Sequence, residues 1–201
     1  MSEIDFETYK GIRYAQEVPH TREANRGPIY VTKMVYIEQS QQTLYHNFLT
    51  GLALDNGTRR LYGTRQAING VAKHYEWITY NQVFAQFEAI AAGLTAFAGL
   101  SRGNMVGLFS KNRAEWAISS HACDRMAYPL VPLYDTLGPD AIPYIVNHTQ
   151  LTTLFVAAEQ LPMLLECVDS CPSIKYVIQF EDVTTEQRKL ASQKGVELAS
   201  F

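Results

Sequence analysis

The sequence predicts an α/β protein in which a parallel β-sheet is flanked by helices and preceded by an irregular lead with short strands. From Met105 onward, short apolar segments alternate with helical patterns of about ten residues, which is typical of β-α-β units and a parallel sheet. Before residue 75, turn-forming residues recur without a sustained period. We therefore divide the chain into a lead over residues 1–75 and a sheet-forming region over residues 76–201.

The lead and its junction with the sheet region contain two candidate strands and one candidate hairpin turn. Ile29–Tyr36 is rich in β-branched and aromatic residues, which favour extended backbone, and Trp77–Ile78 is a shorter segment of the same kind. Asn56–Gly57 is a dipeptide suited to a two-residue hairpin turn, because both residues tolerate positive φ. We expect a hairpin at that point.

The first regular helix should begin after Thr79. Thr79 and Gln82 have the spacing of a capping box, and Gly99 is placed to end the helix in a left-handed conformation. Between them, apolar residues recur at helical spacing and predict one buried face. These residues are Val83, Phe84, Phe87, Ile90, Ala91, Leu94, Phe97 and Ala98. We interpret this stripe as core packing and not as a lipid-binding surface.

Five apolar segments predict the strands of the sheet. They are Met105–Phe109, Leu130–Leu133, Thr153–Ala157, Ile174–Phe180 and Val196–Phe201. Right-handed crossovers should join them and cover both faces of the sheet.

Four segments separate these strands. Asn112, with Glu115 three residues later, predicts a helix start, followed by helices over Asp140–His148 and Glu159–Asp169. The fourth segment, residues 181–195, is polar and predicts a solvated helix or loop. For the helix that starts at Asn112, the inward face is predicted to contain Trp116, Ala117, Ser120, Cys123 and Ala127. Pro143 conflicts with an uninterrupted helix over Asp140–His148, which should therefore start late or bend at this proline.

Composition excludes several functional classes. With 47% hydrophobic residues, 18% charged residues and a net charge of −3, the chain has no electrostatic feature that points to nucleic acid. The acidic N-terminus is unlike a secretory or mitochondrial leader, and the most apolar run, Ala89–Leu100, is shorter than the roughly 20 residues needed to cross a bilayer. We expect a cytoplasmic protein, with peripheral attachment to intracellular membranes left open.

The cysteines and histidines do not form a recognisable metal or redox motif. Cys123, Cys167 and Cys171 are odd in number and contain no C-x-x-C pair, which agrees with a reducing compartment. His121 is too close to Cys123 for the i, i+4 pairing of common metal sites. We assign no metal ligand, and we assign no catalytic residue because a nucleophile and its base meet in space and not in sequence.

Two short motifs carry a family resemblance, with Ile78-Thr79-Tyr80 as a third match. They are Asn112–Trp116 (Asn-Arg-Ala-Glu-Trp) and Val131–Gly138 (Val-Pro-Leu-Tyr-Asp-Thr-Leu-Gly). On these residues the chain resembles the long-chain fatty acyl-CoA synthetases of the adenylate-forming, AMP-binding superfamily, over roughly Tyr75–Phe201. The resemblance implies a parent ligase that activates a fatty acid with ATP to an acyl-adenylate and then forms a thioester with CoA. It also implies Mg²⁺, and a fold equal to the N-terminal part of that family's large domain.

One expected feature of that family is missing from the sequence. The family binds ATP phosphates with a Ser/Thr/Gly-rich loop followed by Pro-Lys-Gly, and the chain contains no such loop and neither common glycine-rich phosphate motif. The resemblance places this loop and a mobile C-terminal lid beyond Phe201. We therefore expect an N-terminal fragment that is inactive by itself, and we assign no cofactor-binding residue within it.

Candidate site residues follow two neighbouring predicted strands. Open α/β sheets form ligand crevices at the carboxyl ends of their strands, so these residues are candidates for contact with substrate or CoA. The six candidates are Asn112, Arg113, Glu115, Tyr134, Asp135 and Thr136. The simpler alternative is that Asn112 caps a helix whose first turn carries Arg113 and Glu115, and that the second set starts the following helix.

A second function class stays open. A stand-alone, non-catalytic α/β module could bind a partner chain or acyl-CoA through the same half-domain, whereas the run Asn112–Gly138 argues against a flavodoxin-like nucleotide domain. In either case an incomplete sheet would present an unpaired edge strand or an apolar face, so we expect self-association.

Overall fold

The computed structural model describes residues 15–32, 43–134, 136, 138 and 140–201. The chain divides into two compact units, Met1–Gln39 and Ser40–Phe201. In the first unit, β1 (Ala15–Glu17) pairs antiparallel with β2 (Tyr30–Thr32). The predicted strand Ile29–Tyr36 is confirmed in this central part, and its residues 33–36 lie outside the described residues.

The second unit begins with a helix that the sequence analysis did not predict. Helix α1 (Leu44–Ala53) starts at Thr43, whose hydroxyl accepts a hydrogen bond from the His46 N–H, and it buries Phe48. A 3₁₀ turn over Leu54–Gly57 follows directly. The hairpin predicted at Asn56–Gly57 is therefore wrong, because these residues end a helical segment and have no strand before them.

The hairpin turn lies instead at the next Asn-Gly dipeptide of the sequence. Strand β3 (Arg60–Ile68) pairs antiparallel with β4 (Val71–Thr79), and Asn69–Gly70 closes the turn. Asn69 and Gly70 have φ values of 51° and 75°, the positive values that a type I′ hairpin turn requires. The predicted strand Trp77–Ile78 is the end of the much longer β4.

Helix α2 (Tyr80–Ala98) confirms the clearest sequence prediction. Thr79 accepts from the Gln82 N–H, the Gln82 side chain accepts from the Thr79 N–H, and Gly99 ends the helix at φ 62°. Four residues of the predicted stripe are buried: Val83, Phe87, Ala91 and Leu94.

The remaining elements build a five-stranded parallel sheet with strand order β6-β5-β7-β8-β9. Its strands are β5 (Val106–Phe109), β6 (Leu130–Leu133), β7 (Thr153–Val156), β8 (Tyr176–Gln179) and β9 (Glu197–Ser200). The connecting helices are α3 (Ala114–Met126), α4 (Ala141–Thr149), α5 (Leu161–Cys167) and α6 (Thr185–Gln193). The predicted α/β class with a parallel sheet is confirmed, and the polar segment after β8 forms a helix.

Both faces of the sheet are covered. On one face Leu154, Val156 and Val177 pack with residues of α4, α5 and α6. On the other, Phe155 and Ile178 pack with residues of α2 and α3. Alternate strand residues thus enter two separate cores, which explains why the inner strands β5, β7 and β8 are mostly apolar.

Two details of the predicted helices differ from the structure. Of the predicted inward face of α3 only Cys123 is buried, and Ala127 ends the helix at φ 54°. The buried residues are Ile118, Ser119, Ala122 and Cys123. The buried face differs from the predicted one because α3 also packs against α1, a helix that was not predicted.

Pro143 is the third residue of α4, where its missing N–H has no intrahelical acceptor, so the helix neither breaks nor starts late because of it.

Within residues 15–32, 43–134, 136, 138 and 140–201, we find no helix that combines the length and the apolar character needed to cross a membrane.

Candidate functional site

The sheet contains one point at which the direction of the chain reverses. From β5 the chain moves outward to β6, and it then crosses back to β7 on the other side of β5. In open α/β sheets, ligands bind in the crevice outside the carboxyl ends of the two strands at such a switch point. Here those strands are β5 and β7, so the segments that follow them, residues 110–113 and 157–160, form the rim of the crevice.

An open cleft of about 910 Å³ lies beside this rim. One wall is the segment after β5 with the first turn of α3, and the opposite wall is the β3–β4 hairpin. The lining residues are Leu61, Tyr62, Gly63, Thr64, Arg65, Gln66, Trp77, Ser110, Lys111, Asn112, Arg113, Ala114, Glu115, Ala117, Ala157 and Glu159. Three of the six sequence candidates, Asn112, Arg113 and Glu115, are therefore brought together in one cleft.

Arg113 and Glu181 together connect the segments that follow three different strands. Its Nε donates a 2.8 Å hydrogen bond to Glu115 Oε2, and its Nη1 pairs with Glu181 Oε1. The second oxygen of Glu181 accepts the Ala158 N–H at 2.7 Å, and the Arg113 guanidinium lies 5.0 Å from the centre of the Phe180 ring. Because these residues follow β5, β7 and β8, Arg113 holds the rim of the crevice together.

The surroundings of Arg113 and Glu115 stabilise the charged forms of both side chains. The hydrogen bond to Glu115 raises the pKa of Arg113. Burial lowers this pKa, and the hydrogen bond to Glu181 raises it further. Burial alone would raise the pKa of Glu115, but hydrogen bonds from Arg113 and from its own backbone outweigh burial and lower it. Both side chains are ionised at neutral pH. Two carboxylates already occupy the guanidinium, which makes Arg113 suited to positioning the rim.

A second ion pair bridges the crevice near its opening. Lys111 Nζ lies 3.2 Å from Glu159 Oε1, and Gln160 Nε2 donates a 3.0 Å bond to the same oxygen. The Gln160 hydrogen bond, followed by the Lys111 pair, lowers the pKa of Glu159. Lys111 and Glu159 are not among the predicted site residues, although each lies within three residues of the end of a predicted strand, which is the signal that could have found them.

Asn112 is not the residue that caps α3. The N-cap position belongs to Arg113, whose side chain makes no capping bond, and Asn112 lies one position before it with an exposed side chain. The alternative explanation of Asn112 as a helix cap is therefore wrong, because the helix begins one residue later than that explanation requires. Asn112 is exposed and is among the residues that line the cleft.

The second set of candidates lies at the other side of β5. Tyr134 and Thr136 follow the edge strand β6, and both side chains are exposed. Asp135 lies outside the described residues. In the described part of the chain, neither Tyr134 nor Thr136 is among the residues that line the cleft. Their contact with substrate or CoA stays a prediction.

The described residues do not offer a metal site or a cradle for ATP phosphates. Among them no three His, Cys, Asp or Glu side chains are grouped as ligands, and His121 Nε2 is 2.8 Å from Tyr62 Oη in a half-buried aromatic setting. Burial raises the pKa of Cys123 to about 12 and that of Cys171 to about 11, so both are thiols at neutral pH. The two cations of the rim, Lys111 and Arg113, are paired with carboxylates. We therefore assign no ATP contact.

Comparison with known proteins places these features in context. A family model described as AMP-binding enzyme matches residues 58–199. The chain is 37% identical over 159 residues to the peroxisomal long chain acyl-CoA synthetase 6 of Arabidopsis thaliana, covering 79% of this chain and 22% of that protein. It is 33% identical over 172 residues to Long-chain-fatty-acid–CoA ligase 1 of Homo sapiens, covering 84% of this chain and 24% of the relative. The chain thus spans less than a quarter of the length of these relatives.

Solved structures share the fold. The adenylation domain of a carboxylate reductase from Mycobacterium chelonae matches with a TM-score of 0.66 at 19% identity, covering 79% of this chain and 28% of that one. The adenylation and carrier didomain of carboxylic acid reductase from Segniliparus rugosus, solved with AMP, matches with a TM-score of 0.64 at 17% identity, covering 82% and 26%. At these identities the likeness concerns the fold alone.

Proposed function

This chain belongs to the AMP-binding enzyme family, and we propose from that premise that it is the N-terminal part of the large domain of a long-chain fatty acid–CoA ligase. The observation that carries the proposal is the 37% identity over 79% of the chain to a long chain acyl-CoA synthetase. The parent enzyme would join a fatty acid carboxylate to the AMP part of ATP, releasing pyrophosphate. The CoA thiol would then displace AMP and form the thioester. Fatty acid, ATP and CoA are accordingly the proposed partners, with Mg²⁺ as the proposed metal.

Within that enzyme, the crevice between β5 and β7 would contribute one side of the site for substrate or CoA. Asn112 is the candidate for direct contact, since its amide is exposed in the cleft and not used as a helix cap. Arg113 and Glu115 would act by positioning, because Glu115 holds the guanidinium and the Arg113–Glu181 pair links the segments that follow three strands. Tyr134, Asp135 and Thr136 complete the proposed set after β6.

The chemistry of adenylate formation depends on cations and backbone donors that neutralise the transferring phosphoryl group. Arg113 is already held by two carboxylates, and the sequence holds no glycine-rich phosphate loop. We therefore propose that residues 1–201 alone do not form acyl-CoA. We also propose the division into a lead over residues 1–75 and an incomplete AMP-binding domain over residues 76–201, and a cytoplasmic location with peripheral membrane contact.

The first experiment assays the purified 201-residue chain with palmitate, ATP, Mg²⁺ and CoA. We expect no thioester above the level of a reaction without protein. Steady thioester production that requires both ATP and CoA would contradict the proposed division of labour, because the chain would then contain a complete site.

A second experiment asks what the native protein is in its source cells. An antibody raised against residues 80–180 is used to measure the mass of the native protein and to isolate it for the same assay. We expect a mass several times 22.7 kDa and palmitoyl-CoA formation by the isolated protein. A mass near 22.7 kDa without activity would favour the non-catalytic module that binds a partner chain or acyl-CoA.

A further inference from the structure

The β3–β4 hairpin projects from the sheet region. Its inner end is anchored, because Tyr62 and Ile78 pack against the cluster formed with α2 and α3, and Tyr62 Oη bonds to His121. Beyond this anchor, every residue of β4 from Val71 to Trp77 is exposed. An isolated two-stranded hairpin is marginally stable in water, so this distal part needs either internal compensation or a partner.

One face of the hairpin, formed by Arg60, Arg65, Lys73, Tyr75 and Trp77, supplies that compensation by alternating cations and aromatic rings. Arg65 and Trp77 of this face also line the cleft described above. The Arg60 guanidinium lies 5.9 Å from the centre of the Trp77 ring, and the Arg65 guanidinium lies 5.4 Å from that of Tyr75. The two rings are 5.7 Å apart, and Arg65 Nε also donates to the Lys73 carbonyl at 2.9 Å. Such contacts hold the side chains on the surface in a fixed arrangement.

Gly63 shows that this arrangement is built into the strand. A Cβ at Gly63 would lie 3.0 Å from the Trp77 ring, so the ring lies flat against the backbone of β3. Trp77 nevertheless stays 45% exposed and Tyr75 51% exposed, with Val71 at 60% beside the turn. Two amphipathic rings and an apolar tip are thus presented to solvent.

The charge of this face is of one sign. Glu76 is the single acidic residue of β4, and strand alternation points it to the opposite face. Among the residues that the structure describes, no carboxylate forms an ion pair with Arg60, Arg65 or Lys73. The face is therefore positive although the whole chain has a net charge of −3.

We propose that this aromatic and basic face of the hairpin binds the surface of an anionic phospholipid bilayer. Tyrosine and tryptophan are favoured at membrane interfaces because one end of each ring is apolar and the other is polar, and neighbouring basic residues are attracted to anionic headgroups. A single-stranded nucleic acid fits less well, because it needs free ring faces for stacking, and arginines already lie over both rings. The inference deepens the peripheral membrane contact of the proposed function, but it does not require the ligase reaction, so either can fail alone.

The test is sedimentation of the full 201-residue chain with large vesicles. One set contains phosphatidylcholine only, and the other contains about 30 mol% phosphatidylserine, both at about 0.1 M salt. We expect binding to the anionic vesicles and much weaker binding to the neutral ones. Since each basic residue near the surface contributes about fivefold in affinity, R60Q/R65Q should weaken binding at least about tenfold.

The matched control K175Q/K189Q removes two exposed positive charges elsewhere and should bind within about twofold of the wild type. Far-UV circular dichroism establishes that each variant is folded. Loss of binding in the control equal to that in R60Q/R65Q would overturn the assignment to this face, as would preference for single-stranded RNA over vesicles or absence of vesicle binding by the wild type.

A spectroscopic readout locates the contact without disturbing the hairpin. The chain has two tryptophans, so W116F leaves Trp77 as the single one. We expect its fluorescence emission to shift to shorter wavelength when anionic vesicles are added, because the ring moves from water into the interface. Emission that stays unchanged while the protein sediments with vesicles would show that another surface binds, and the proposal would be wrong.

Discussion

Two sets of ion pairs stand at the same crevice and differ in how far they are withdrawn from solvent. In the Arg113–Glu181 pair the side chains are 29% and 40% exposed, whereas in the Lys111–Glu159 pair they are 61% and 56% exposed. The first pair belongs to a network that also includes Glu115 and the Ala158 N–H. The second bridges two rim segments at the surface, with a hydrogen bond from Gln160 as its further support.

The difference in exposure gives the two ion pairs different structural roles. A half-buried charge that loses its partner keeps much of its desolvation cost, whereas an exposed pair is screened by water and salt and opens at little cost. The Arg113 network should therefore fix the geometry of the rim. The Lys111–Glu159 pair should open more easily, because both of its side chains are exposed.

The largest expected effect comes from removing the centre of the network. Arg113→Met leaves Glu115 and Glu181 partly buried without a cation, and we expect the free energy of unfolding to fall by about 2 kcal/mol. Urea denaturation followed by circular dichroism measures it. Arg113→Lys, which keeps the charge but not the planar fork that serves two carboxylates, should lose about half as much. A loss below about 0.5 kcal/mol for Arg113→Met would show that the network is as weak as an exposed pair.

The pH dependence of stability gives a second, smaller effect. The pKa of Glu115 is lowered in the folded state, so its stabilisation is present above the unfolded value of about 4.3 and is lost as pH falls through the folded value. Glu115→Gln should therefore be about 1 kcal/mol less stable than the wild type near neutral pH. The difference should shrink between about pH 5 and pH 3.

Urea unfolding at several pH values tests this dependence, with Glu166→Gln, an exposed substitution on α5, as the matched control. A difference between wild type and Glu115→Gln that stays constant across the acidic range would contradict the assigned direction of the pKa shift.

The contrast between the sheet and the hairpin shows what could be predicted from sequence. The inner strands β5, β7 and β8 are largely buried and read as short, mostly apolar runs, and α2 carries both of its end signals in Thr79 and Gly99. Helix α1 buries only Phe48, and β4 exposes nearly all its residues, so neither shows a period. Asn-Gly occurs twice, and only the long-range pairing of β3 with β4 decides which dipeptide turns the chain.

The candidate site divides in the same way. Their proximity to strand ends predicts a crevice position for Asn112, Arg113 and Glu115, and in the structure the three residues line one cleft. The bond from Arg113 to Glu181 could not be predicted, because it passes over the end of β7 to reach the segment after β8. That contact depends on the strand order of the sheet, which a single sequence does not contain.

The exposed pair supplies the third prediction. We expect Lys111→Met to leave the urea midpoint unchanged within experimental error, because the exposed pair gains little net free energy against water and side-chain entropy. The measurement is the same as for Arg113→Met, and the two variants differ in position by two residues. If Lys111→Met destabilises the protein as much as Arg113→Met, exposure does not determine how much each pair stabilises the protein.

An equally small effect is expected at Asn112. Since the side chain lies before the N-cap and is exposed, Asn112→Ala should change the free energy of unfolding by less than about 0.5 kcal/mol. Thr79→Ala is the positive control, because Thr79 caps α2 with a 3.4 Å bond from the Gln82 N–H and should lose about 1 kcal/mol. If Asn112→Ala costs as much as Thr79→Ala, Asn112 supports the helix after all. A neutral result leaves its amide free of any structural duty, which is the condition for a residue whose role is to contact a ligand in the cleft.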